Sequence, residues 1–194
     1  VKHMSLWGTT DGTKPKFLTD EEKKLVFANS SGWVLEAGAE SSKFTGNDNP
    51  NAQPEVLVAI GELATSLGAA TITEIEFVTT AFDKSDGGNI DVRVRYNEQV
   101  TVTGTPQFLI TNQTSSSRNI TANFLSGNNT NELVFRKTIA ANNAATNAND
   151  VLKVVANPVS LNGGTIKDRG TSTNAEITSA VSIGTAAGTL TVTA

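Results

Sequence analysis

The sequence predicts an all-β protein: a β-sandwich preceded by a small N-terminal segment that holds one short helix. Three observations carry this. The 194 residues include 27 Thr, 19 Asn and 16 Gly, so residues suited to strands and turns dominate. Thr has a stiff, branched Cβ that fits a pleated surface, whereas Asn and Gly tolerate positive φ. Second, "NIDVRVRY" at 89–96 alternates strictly between apolar and polar positions, the period of a half-buried strand. Third, apolar runs recur at roughly ten-residue spacing with turn residues between them, as in sandwich folds.

The elements follow in chain order. Residues 4–18, "MSLWGTTDGTKPKFL", are turn-rich. Thr19 and Glu22 form a capping box, and acidic residues fill the first turn, so a short helix is expected at about 20–28. "GWVLEAG" (32–38) reads as a brief strand and "GNDNPNAQP" (46–54) as a loop. "EVLVAI" (55–60) reads as a buried strand, with a helix through Leu63 and Leu67 as its alternative. Further strands are expected at 71–80, 89–96, 99–104, 106–111, 118–125, 131–139, 151–156, 175–182 and 188–194. "AANNAATNAND" (140–150) reads as a long surface loop or a short helical turn. The division expected is residues 1–3 as an expression-vector remnant, 4–68 as an N-terminal attachment segment and 69–194 as the sandwich.

The bulk chemistry is plain. A net charge of −4 provides no basic surface for nucleic acid. Residues 106–194 hold six Lys/Arg and four Asp/Glu, so this half presents a neutral, hydroxyl-rich surface. There is no Cys, which excludes disulfides and thiolate chemistry. No apolar run reaches the roughly 18 residues of a membrane span, so no membrane partner is expected. With Met4 read as the natural start, the only His lies in the remnant. Ser and Thr then lack a His or Cys partner to activate them, and no catalytic residue is assigned.

Several clusters offer candidate chemistry. Asp83, Asp86, Asn89 and Asp91 offer hard oxygens at close spacing, but they miss the EF-hand pattern and read better as an Asp-Gly hairpin turn. Glu74 and Glu76 share one strand face, as do Arg93 and Arg95. A solvated face paired with acids on a neighbouring strand is the expectation for the arginines. Sequons begin at Asn29, Asn112, Asn119 and Asn128 and carry little weight in so Asn-rich a chain. No metal ligand or cofactor is assigned. Trp7 and Trp33 both lie in the first 33 residues. Together with Leu6 they read as a docking patch on an assembly or as a small satellite core, at near-even weight.

Two family resemblances extend this reading. "VRVRYNEQVTVTGTP" (92–106), "LSGNNTNELVFRKTI" (125–139) and "VSLNGGTIKDRG" (159–170) are similar, in order, to the Ig-like repeats of large bacterial surface adhesins. The chain departs from that pattern in carrying one copy and in having Asn97 where Ser precedes the Glu. This resemblance implies an Ig-like sandwich that acts as spacer or adhesive module. "SLWGTTDGTKPKFLTDEEKK", "SGWV" and "PEVLVAIGEL" resemble the start of structural proteins of tailed marine cyanophages. That implies an exterior virion component, a capsid decoration or a tail or neck accessory. Its partners would be other virion proteins and further copies of itself as a homo-oligomer on the particle, with weak binding to cell-surface glycans. The alternative is a carbohydrate-binding adhesin module, with or without Ca²⁺.

Overall fold

The computed structural model describes residues 11–39 and 49–194. The first ten residues, including Leu6 and Trp7, and the start of the expected 46–54 loop lie outside the described residues. The all-β class expected from sequence is the one observed.

The chain enters through a single helix, α1 (Asp20–Lys24). Its capping box is complete. Thr19 Oγ1 accepts from the Glu22 amide at 3.2 Å, and Glu22 Oε2 accepts from the Thr19 amide at 2.8 Å. The helix is shorter than the expected 20–28, because Val26, Phe27 and Ala28 are drawn into a strand. That strand, β1 (Val26–Asn29), pairs antiparallel with β2 (Gly32–Leu35), which pairs in turn with β3 (Glu55–Ala59). Gly32 is required at the β1–β2 turn. Its φ is +136°, and a Cβ there would sit 2.0 Å from the Val58 carbonyl oxygen. A short helix, α2 (Leu63–Ser66), closes this front sheet. Leu18, Val26, Ala28, Trp33, Leu35, Ala39 and Leu63 form its core. β3 departs from the buried strand expected. It is the edge of the sheet path, and Val56 is 48% exposed.

The remaining strands are β4 (Ile72–Phe77), β5 (Phe82–Asp83), β6 (Gly88–Thr103), β7 (Gln107–Asn112), β8 (Ile120–Ser126) and β9 (Thr130–Ile139). β10 (Val151–Lys153), β11 (Val159–Ser160), β12 (Thr165–Asp168) and β13 (Thr189–Thr193) follow. The hydrogen-bonded path runs β3-β2-β1-β6-β9-β8-β7-β10-β13-β5, with β4 and β12 also on β6 and β11 on β7. One face of each long strand enters a common core. Ile90, Val92, Val94 and Tyr96 of β6, Leu133 and Phe135 of β9, and Phe108 and Ile110 of β7 are all buried there. Phe108 and Phe135 meet at 5.6 Å between ring centroids. Each such large side chain contributes about 1.5–3 kcal/mol through burial.

β6 organises the molecule. Two strands were expected at 89–96 and 99–104; the chain runs through as one. Its pairing with β9 slips between Arg95 and Val100, and Arg95, Tyr96, Asn97 and Glu98 are all buried in succession. The sequence at Asn97-Glu98 suits a bend or a bulge between two strand segments; it is a bulge inside one continuous strand, where alternation between faces breaks down. Before the bulge β6 pairs with β4 and β9. After it, β6 pairs with β12, and at Glu98 it meets Ala28 of β1. One strand thus joins the front sheet to the main core.

Another expected strand, 175–182, is absent. The Ala175 amide donates to the Ile166 carbonyl, that of Glu176 to Ala70, and that of Ser179 to the Asn157 side chain. These scattered partners hold the segment extended without a ladder, and it ends in helix α3 (Val181–Ala186). Residues 140–150 form the surface loop expected, with Asn142 and Asn149 at φ of 56° and 66°. The C-terminal strand β13 is paired with β10 and β5.

Candidate functional site

The most concentrated chemistry lies where the front sheet meets β6 and β9. The cross-strand register builds it. Glu74 of β4 stands opposite Arg95, Glu76 opposite Arg93, and Arg95 opposite Glu132 of β9. Opposite charges at facing positions are the stabilising arrangement for a sheet face. Arg95 Nη1 lies 2.5 Å from Glu74 Oε2 and 3.0 Å from Glu76 Oε1. Its Nε lies 2.7 Å from Glu132 Oε1 and 3.3 Å from Glu36 Oε1. Arg93 bridges Glu76 at 2.6 Å and Glu132 at 3.3 Å, and Lys24 of α1 reaches Glu74 at 3.4 Å. Glu36, just past β2, also accepts from Asn131 Nδ2 at 2.6 Å.

Burial sets the electrostatics. The side chains of Arg95 and Glu36 are 8% and 10% exposed. Burial, then the charge of Glu132, push the Glu36 carboxyl up to about 7, against the opposing pull of Arg95 and Asn131. Burial works against the Arg95 cation, but Glu36, Glu132 and Glu76 outweigh it and hold its pKa above the ordinary guanidinium value. Beside this cluster opens a cleft of about 420 Å³, lined by Phe27, Gln53, Gln99, Asn131 and Glu132 among others. Amides, hydroxyls and carboxylates on its wall equip it to hydrogen-bond a small polar ligand.

The residues singled out by sequence are distributed differently. Trp33 is 0% exposed and fills the front core, with Lys14 Nζ 5.6 Å from its ring centroid and donating to the Lys23 carbonyl at 3.0 Å. Leu6 and Trp7 are outside the described residues. The two arginines do pair with acids of a neighbouring strand, as expected, but Arg95 is buried where a solvated face was expected, because Glu36 is packed against it. Asp83 and Asp91 are occupied separately. Asp83 accepts from Ser85, Asp91 takes a bidentate contact from Arg136 at 2.7 and 2.6 Å, and Asn89 accepts from Thr138. Among the described residues no group of three acidic or histidine side chains is arranged to hold a metal ion. Asn112, Asn119 and Asn128 of the sequons use their side-chain oxygens to accept backbone amides at turns. Glu36, Asn131 and Glu132 were not singled out. The available signal was a charge at the end of an apolar strand, "GWVLE", which sequence alone does not distinguish from a solvated end.

No family model, no curated protein and no solved structure matches this chain.

Proposed function

We propose that this chain is a virion structural protein of a tailed phage, a capsid decoration or a tail or neck accessory, that acts by binding. The observation that carries the reading is the resemblance of its front motifs, "SLWGTTDGTKPKFLTDEEKK", "SGWV" and "PEVLVAIGEL", to the start of cyanophage structural proteins, followed directly by a strand-rich module. With Trp33 inside the front core, Leu6 and Trp7 would contact other virion proteins, and Phe17 and Val56 of the same segment are exposed as well. The neutral Thr/Asn-rich module would face outward, and fellow copies would complete a homo-oligomer on the particle. Such a role needs rigidity, and ion pairs such as Arg118–Asp150 and Arg136–Asp91 tie loops and strands together. The test is mass spectrometry of gradient-purified virions that encode this chain. Its peptides at structural stoichiometry are expected, and their absence from infectious particles refutes the reading.

A carbohydrate-binding module is the second reading, favoured by the amide-lined cleft beside Gln53, Gln99 and Asn131. A glycan array probed with and without Ca²⁺ separates it. Saturable binding lost in Gln99→Ala supports this reading, and no binding in either condition removes it.

A further inference from the structure

The junction between front sheet and main core holds more negative than positive charge. Four carboxylates (Glu36, Glu74, Glu76 and Glu132) meet three cations (Lys24, Arg93 and Arg95) in one linked set of ion pairs. A further carboxylate, Glu98 of β6, is buried at the same boundary, opposite Ala28 of β1. Lys24 is shared outward with Glu21 as well, at 2.7 Å. Two of the four carboxylates meet at one guanidinium nitrogen. Glu36 and Glu132 both approach Arg95 Nε, at 3.3 and 2.7 Å. Glu36 is 10% and Glu132 27% exposed, and two carboxylates crowded on one guanidinium nitrogen are best served by one proton between them. Glu36 directly follows β2 of the front sheet and Glu132 lies on β9, so a proton held between them would span the boundary between the two cores. The adjoining cleft is lined by both residues and gives solvent a route to them.

We propose that Glu36, Glu132 and Arg95 form a proton-operated latch, which holds the front sheet against the main core when it carries one proton and loosens that contact when the proton leaves. This inference is independent of the virion reading. Among the described residues the backbone pairing across the same boundary is slight: one parallel bridge between Ala28 and Glu98. The side-chain cluster and the Asn131–Glu36 hydrogen bond therefore carry much of the polar attachment. The direction follows by linkage. Glu36 rises from 4.5 when free to about 7 when docked, so the docked state binds the proton more tightly. Its advantage is full below the free value and is lost as pH rises through the docked one.

Native-state hydrogen exchange on the whole chain tests this, at about pH 5.5 and about pH 8, with rates corrected for intrinsic chemistry. In the wild type the amides of β1 and β2 should exchange roughly tenfold to a hundredfold faster at the higher pH, with little change at the centre of β9. Glu36→Gln cannot ionise, and its front-sheet protection should vary far less with pH. Equal pH dependence in wild type and variant overturns the latch. A carboxyl-carbon NMR titration of the wild type needs no variant to fold. A Glu36 or Glu132 signal titrating near neutrality supports the latch; ordinary acidic midpoints for both overturn it.

Discussion

Removing the Arg95 guanidinium is the most direct test of how this molecule is held together. Arg95→Met keeps most of the stem that packs along β6 and deletes the charge. In the wild type that charge lies within 3.3 Å of Glu36, Glu74, Glu76 and Glu132, in a side chain only 8% exposed. Its loss leaves four carboxylates facing Arg93 and Lys24 alone, and the excess of one negative charge becomes two. A unit-charge pair at about 4 Å is worth about 4 kcal/mol at the effective dielectric of a protein surface. Several attractions are lost together, but the carboxylates recover hydration and take up protons. The net cost expected is that of breaking a buried pair, about 3–5 kcal/mol. Urea unfolding followed by far-UV circular dichroism should therefore show a midpoint lower by about 2 M at pH 8, for a slope of about 2 kcal/mol/M. The deficit should shrink at about pH 5, where Glu36 relieves the repulsion by protonation. Arg95→Lys restores charge without the fork and should recover part of the loss. A midpoint shift under about 0.5 M at both pH values would refute the reasoning, since it would mean that the carboxylates are solvated in the native protein.

Other expectations concern the main core and its loops. Tyr96 is 1% exposed and its Oη has no hydrogen-bond partner among the described residues, so Tyr96→Phe should leave stability unchanged or raise it by about 1 kcal/mol; a drop in Tm would show that the hydroxyl is bonded. Gly127 has φ +103°, and a Cβ there would sit 1.8 Å from the Glu132 carbonyl oxygen. Gly127→Ala should cost more than about 2 kcal/mol, whereas Gly163→Ala, at φ +76° in open space, should cost about 1 kcal/mol; similar Tm values would contradict the difference in crowding. The Arg118 guanidinium contacts both oxygens of Asp150, at 2.8 and 2.5 Å, and holds that carboxyl near 2 from its usual 3.8. A lowered carboxyl stabilises above its free value, and the contribution is lost as pH falls from about 4 towards about 2. Asp150→Asn should flatten that acid limb in a pH series of Tm values, and an unchanged limb would count against the pair.

Much of the fold was legible because the main core is built by strict alternation. "NIDVRVRY" gives its inward face as Ile90, Val92, Val94 and Tyr96, and all four are buried. The capping box at Thr19 and Glu22 was equally readable, since all its partners lie within four residues. The helix length was misjudged because Val26 to Ala28 suit a strand as well as a helix, and only β2 decides between them. The segment 175–182 reads as a strand from local alternation, yet its amides find partners in three separate parts of the chain, at Ile166, Ala70 and Asn157. "EVLVAI" looked buried because composition measures hydrophobicity and carries no information on whether a strand lies at an edge.

The sequence by itself determined the class of this protein, its turns, the faces of its longest strands and the absence of thiol chemistry. Those properties depend on near neighbours in the chain and on composition. It also placed Arg93 and Arg95 on one strand face. Only the tertiary structure decided that Glu36 arrives from 59 positions earlier and Glu132 from 37 later to share Arg95. A carboxylate's environment is set by what packs against it in space, and no local pattern reports that. Trp33 illustrates the same limit: the sequence marked it as notable, and the packing of Leu18, Leu35 and Leu63 around it made it core.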